Sequence, residues 1–184
     1  MAAWREILLF SVLIFDLYVI GAAPKKNYVG VVGGETAPIE DFPYQVSVKV
    51  KNKHICGGTI IHEQFILTAA HCTTKHTLLY SLYSVRAGTA YLEEGGTPYE
   101  VENIIVHYEY DYGVDYDLSI LKLKNSLELS DKVAIAKLST LQNDFEQGTV
   151  FNITGWGNTE VVTRGFDARR YLWMIPVRGE RSGN

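Results

Sequence analysis

The sequence predicts an all-β fold, either a sandwich or a barrel, on three observations. Short segments alternate apolar and polar side chains at the period of a pleated strand, as in Val46, Val48 and Val50 against Gln45, Ser47 and Lys49. Turn-forming residues separate these segments at short intervals. No long stretch carries the apolar stripe of an amphipathic helix. The 12 tyrosines, with plentiful Val, Ile and Thr, suit pleated surfaces.

Residues 1–23 read as a secretory leader. Arg5 supplies the positive start, Ile7 to Ile20 a mostly apolar run, and Gly21-Ala22-Ala23 the small residues for cleavage. A membrane anchor is the competing reading, but the run is shorter than the roughly 20 apolar residues a span needs, and Asp16 lies inside it. Residues 24–30 form a short polar segment, and the folded part begins at Val31-Val32-Gly33-Gly34. Gln45 to Val50 is a half-buried strand, and Lys51-Asn52-Lys53 a hairpin turn into His54-Ile55-Cys56. Gln64 to Thr68, Tyr83 to Ala87, Tyr99 to His107 and Leu118 to Leu123 follow as strands, with Glu93-Glu94-Gly95-Gly96 as the clearest turn. From Val161 to Asn184 the character changes: Arg164, Arg169, Arg170, Arg178 and Arg181 face two acids, Asp167 and Glu180, whereas the rest of the chain holds only Arg5 and Arg86. Residues 158–184 are therefore read as a tail of different origin, with a basic segment for acidic surfaces or glycans as the functional alternative.

With 47% hydrophobic and 21% charged residues, the chain can bury one or two modest cores. A net charge of -4 argues against nucleic acid as a partner, which demands a basic face. Secretion gives the cysteine count its meaning. Cys56 and Cys72 are the only two, and in an oxidising compartment they are expected to bond to each other; two free buried thiols are the alternative. Without paired spacing they make no zinc site, and no metal or cofactor is expected. No membrane contact is expected once the leader is removed, and the sequence carries no sign of an oligomeric state.

Five motifs then stand in one order: Val31-Val32-Gly33-Gly34, Cys56-Gly57-Gly58-Thr59-Ile60-Ile61, Thr68-Ala69-Ala70-His71-Cys72, Tyr116-Asp117-Leu118-Ser119-Ile120-Leu121-Lys122-Leu123 and Thr154-Gly155-Trp156-Gly157. Together, over Val31 to Gly157, they resemble the chymotrypsin/trypsin family of serine proteases. The resemblance implies an antiparallel Greek-key β-barrel, complete over residues 31–131. It implies an inter-barrel connection and opening strand over 132–157, with the second barrel largely missing. It also implies peptide-bond hydrolysis of protein or peptide substrates by a Ser-His-Asp triad, without a cofactor. On that pattern His71 is the general base, which needs hydrogen-bond reach before it needs the right pKa. Asp117 holds its tautomer, and Val31 is the mature N-terminus. The apolar run after Asp117 favours it over Asp111 and Asp115, which are read as solvated. His54, His62, His76 and His107 are read as surface groups.

The departures matter as much. The family's Gly-Asp-Ser-Gly-Gly nucleophile motif has no counterpart, and Arg181-Ser182-Gly183 lacks its aspartate and second glycine. Losing the nucleophile alone costs about a million-fold in kcat in a related triad enzyme, and losing an oxyanion donor about 10²–10³ more. The expectation is a secreted, extracellular family member, truncated and without measurable peptidase activity in this chain. The rival is a noncatalytic homologue acting as a binding or regulatory protein. Gly30, where the family has Lys or Arg, precedes Val31, so a tryptic activator does not release it directly. The strand over Gly148 to Gly157 is expected to be an orphan edge on an aggregation-prone chain. Asn152-Ile153-Thr154 is a glycosylation sequon, expected to be buried or unmodified on its strand. Glu93 and Glu94 are expected to be solvated rather than calcium ligands.

Overall fold

The computed structural model describes residues 35–139, 148–157 and 172–178, without the side chains of residues 75–78 and 173–178. The leader, Val31 and all of the tail arginines but Arg178 lie outside the described residues. Among the described residues nine strands run in order: β1 (Glu35–Thr36), β2 (Gln45–Val50), β3 (Lys53–His62), β4 (Phe65–Thr68), β5 (Tyr83–Ala87), β6 (Thr97–Val106), β7 (Ser119–Leu123), β8 (Val150–Gly155) and β9 (Trp173–Arg178). Six of them close into an antiparallel barrel in the order β2-β3-β4-β7-β6-β5, with β2 pairing both β3 and β5.

Alternation explains the barrel. Val46 and Val48 of β2, Ile60 of β3, Ile66 of β4, Tyr83, Val85 and Ala87 of β5, Val101 of β6, and Leu121 and Leu123 of β7 point inward and are buried together. Inward positions two apart are what a period of two requires. The β2–β3 hairpin turns in two residues, because Val50 pairs with Lys53. Lys51 and Asn52 both adopt positive φ, 49° and 64°, the primed turn that matches strand twist. Gly58 lies where β2, β3 and β4 converge. A Cβ there would lie 2.8 Å from Ile66 Cγ2 and 3.1 Å from Val46 Cγ2.

The outer face of β2 departs from the half-buried expectation. Gln45, Ser47 and Lys49 are buried, like the valines between them. A second layer covers them, built from Ala37, Ile39, Phe42, Leu92, Trp156 and Leu172. The buried polar side chains of β2 find partners there: Gln45 Oε1 accepts from the Thr154 hydroxyl at 2.7 Å, Lys49 Nζ donates to the Leu92 carbonyl at 2.7 Å, and the Ser47 hydroxyl meets His54 Nδ1. The Trp156 indole donates to the Ala90 carbonyl at 2.8 Å.

β8 is not an orphan. It pairs along six positions with β9, from Val150 opposite Arg178 to Gly155 opposite Trp173, and β9 pairs in turn with β1. The sheet order is β1-β9-β8. The sequence reading missed β9 because Pro176 sits inside it and arginines surround it, and β1 because it is two residues long. The chain also holds a nine-residue 3-10 segment, Thr74–Leu82, which no apolar stripe announced. Among the described residues no helix is long and apolar enough to cross a membrane.

Candidate active site

Two neighbouring strands create the site. β4 and β7 pair antiparallel with Thr68 opposite Ser119. The residues just after β4 and just before β7 therefore emerge on one rim of the barrel. His71 lies in the 3-10 turn Ala70–Cys72 that follows β4. Asp117 lies in a tight turn before β7, where the Leu118 N–H donates to the Tyr116 carbonyl at 2.7 Å. Tyr116 takes positive φ, 54°, a backbone conformation that costs a non-glycine residue roughly 1–2 kcal/mol. Its ring stacks on His107 at 4.9 Å, and the His107 N–H donates to the Leu118 carbonyl at 2.9 Å, so both contacts hold the turn.

Asp117 grips the histidine at two points. Its Oδ2 lies 2.6 Å from His71 Nδ1, and its Oδ1 accepts the His71 backbone N–H at 2.8 Å. The ring hydrogen bond, with the backbone N–H adding to it, holds the Asp117 carboxyl below the ordinary carboxylate range. An ionised carboxylate only accepts, so the shared proton belongs to Nδ1 and the lone pair of the neutral ring to Nε2. Nε2 lies 3.4 Å from Cys72 Sγ. The imidazole is 62% exposed and the carboxylate 24%. The pair is thus oriented from below and open to water above.

A buried polar network fixes the floor. The disulfide Cys56–Cys72 ties the turn to β3, with Cα atoms 6.3 Å apart. Thr68 donates to the Gly57 carbonyl at 2.8 Å across the same gap. Thr73 and Ser119, both fully buried, place their hydroxyls 3.0 Å apart directly beyond His71 and Asp117 in the chain. Thr73 also reaches the Ala70 carbonyl at 3.1 Å, and Tyr83 donates to the carbonyls of Thr73 and Cys72. These supports escaped the sequence reading. The signal available was Ser119 itself, a polar residue in phase with the inward Leu121 and Leu123.

The other titratable candidates are placed apart from the pair. Asp111 Oδ1 accepts the Gly113 N–H at 3.0 Å, and Asp115 is exposed. His62 tilts against Phe65, His107 lies between Tyr108 and Tyr116, and the side chain of His76 lies outside the described residues. His54 is no surface group. Its Nδ1 meets the Ser47 hydroxyl at 2.9 Å and its ring packs edge-on to Trp156 at 5.7 Å. Burial, reinforced by the Lys49 charge, brings its pKa down to about 4.

Among the described residues two places bear on metal binding. Ligand atoms of Cys56, His71 and Cys72 lie within 4.8 Å of one another, but both sulfurs are spent in the disulfide, leaving no thiolate to bind an ion. In the turn around Glu93 and Glu94, the carbonyls of Leu92, Glu94 and Gly95 accept from Lys49, Thr89 and Arg86. A calcium ion there would compete with two cationic side chains for its oxygens.

The family model described as Trypsin matches residues 31–173. The match thus runs past Gly157, where the motif reading had ended, and through Leu172, which is buried against Trp156 and Phe42 in the second cluster. A trypsin of Simulium vittatum is 35% identical over 159 residues, covering 82% of this chain and 63% of that protein. Trypsin 5G1 of Aedes aegypti is 34% identical over 149 residues, covering 80% of this chain and 55% of that protein. The chain thus spans about three-fifths of the length of these relatives. Among solved structures, the scabies mite inactivated protease paralogue S-D1 superposes with a TM-score of 0.69. Its sequence identity is 24%, over 79% of this chain and 61% of that one. At that identity the likeness concerns the fold.

Proposed function

The chain belongs to the trypsin family of serine proteases, and from that premise we propose that His71 and Asp117 are the base and orienting members of a Ser-His-Asp triad in a secreted endopeptidase-family protein. The observation that carries the reading is the two-point grip of Asp117, 2.6 Å to Nδ1 and 2.8 Å from the backbone N–H. The carboxylate holds the imidazole in the tautomer whose Nε2 lone pair accepts a proton from a nucleophile, and it stabilises the imidazolium that results. Backbone and side chain are held by the same carboxylate, so the carboxylate stays anchored at the backbone N–H and a swing of the ring costs the Nδ1 hydrogen bond. The family acts on protein or peptide substrates.

The reading has a second half. The 184 residues contain no Gly-Asp-Ser-Gly-Gly segment. Nε2 therefore has no family nucleophile to deprotonate, and the chain as it stands hydrolyses no peptide bond. Val31 serves as the family's mature N-terminus by position, but Gly30 before it is not a tryptic cleavage point. The test is labelling of the purified full chain with a fluorophosphonate probe, beside an active trypsin as control. No labelling is expected. A labelled serine in this chain would overturn the inactive reading.

A further inference from the structure

We propose that Asn152 carries an N-linked oligosaccharide. The chain holds one Asn-X-Ser/Thr sequence, Asn152-Ile153-Thr154. Its position on a strand argued for burial, and the fold says otherwise. Asn152 is exposed in the middle of β8. The cross-strand neighbour on β9 is Pro176, which has no N–H to offer. Alternation puts Asn152 on the strand face of Val150, which is 58% exposed, and of Thr154. Thr154 uses its hydroxyl to reach Gln45 on the barrel. The barrel contact on this face is thus made at Thr154, while Asn152, two residues along, meets solvent. A bulky, hydrophilic attachment can project there without displacing the covered layer around Trp156.

The chemistry requires both ends of the sequon. The Asn152 amide nitrogen attacks the anomeric carbon of an oligosaccharide carried on a polyprenyl diphosphate. The new C–N bond forms as the anomeric C–O bond breaks, the lipid diphosphate leaves with the electron pair, and the amide gives up one proton. No electron is gained or lost. The Thr154 hydroxyl assists by hydrogen-bonding the acceptor asparagine. In the folded chain that hydroxyl is committed to Gln45, so the acceptor is the extended chain during entry into the secretory lumen. The fold then only has to tolerate the product, and an exposed residue 152 does so.

The inference rests on the secretory reading of residues 1–23, and the test separates the two. The full chain is translated with endoplasmic-reticulum microsomes, once with its own leader and once with a strong unrelated leader in its place. Protection from added protease reports import, and an endoglycosidase-sensitive gain in mass reports modification. One glycan per imported chain is expected, absent in Asn152→Gln and Thr154→Ala and retained in Thr154→Ser. An imported chain with its disulfide closed and no sensitive mass would overturn the proposal, as would a gain in mass that persists in Asn152→Gln. Modification seen only behind the unrelated leader upholds the acceptor site and sinks the secretory reading.

Discussion

Acidification is expected to destabilise this fold through His54, which makes no part of the His71–Asp117 pair. His54 lies between the barrel and the layer that covers it, with Ser47 on one side and Trp156 on the other. Burial first, and the nearby Lys49 charge second, bring its pKa from 6.5 to about 4. The unfolded chain takes up a proton near the ordinary histidine value, while the folded chain refuses it until about pH 4. The contribution of His54 is therefore complete above about pH 6.5 and is lost as the pH falls through that window. The full displacement sets a ceiling of about 3 kcal/mol, and partial contact of the ring with water reduces the expected effect to about 1.5 kcal/mol. The assay is urea unfolding of the full chain, followed by tryptophan fluorescence, at steps between about pH 7 and about pH 4. Carboxylates titrating in the same range affect wild type and His54→Gln alike, so the difference between the two isolates this histidine. Glutamine also keeps a partner for Ser47. Wild type is expected to lose stability more steeply than the variant as pH falls. Equal slopes would refute the claim that His54 is held half-buried and uncharged against Trp156.

Two further outcomes follow from the packing. Replacing Cys56 and Cys72 by serine opens a loop with a sequence separation of 16, which is expected to cost about 3 kcal/mol; an unchanged urea midpoint would show that the disulfide does not constrain the unfolded chain. Gly58→Ala places a methyl group 2.8 Å from Ile66 Cγ2, and such overpacking is expected to cost about 1–3 kcal/mol. An unaltered Tm would mean that the barrel interior yields where β2, β3 and β4 converge.

Much of the barrel was legible because each strand buries one face, and period-two alternation reports that directly. The predicted Gln45–Val50 and Tyr83–Ala87 coincide with β2 and β5, and the other barrel strands differ at their ends. What alternation cannot report is a second layer supplied from elsewhere in the chain. Ser47 and Lys49 read as solvent-facing and are covered by Leu92, Trp156 and Leu172, which lie at least 43 residues away from Lys49 in the case of its Leu92 hydrogen bond. His54 was misread for the same reason. β9 was hidden by Pro176 and by an arginine-rich composition that suggested a foreign tail. At the site, the motifs named His71 and Asp117, and the register of β4 against β7 supplies the physical reason they meet. The buried hydroxyls of Thr73 and Ser119 lay outside any motif and become visible only in three dimensions.

The pairing of His71 with Asp117 can be observed directly as a proton. In the ¹H–¹⁵N NMR spectrum of the full chain, the His71 Nδ1–H held at 2.6 Å from Asp117 is expected as a strongly downfield signal. The signal should persist in the neutral-ring state, vanish in Asp117→Ala and weaken only as acid protonates Asp117, below the ordinary carboxylate range. A His71 Nδ1 that carries no proton at neutral pH, or a downfield signal indifferent to Asp117→Ala, would contradict the assignment of these two residues as an assembled base pair of the triad.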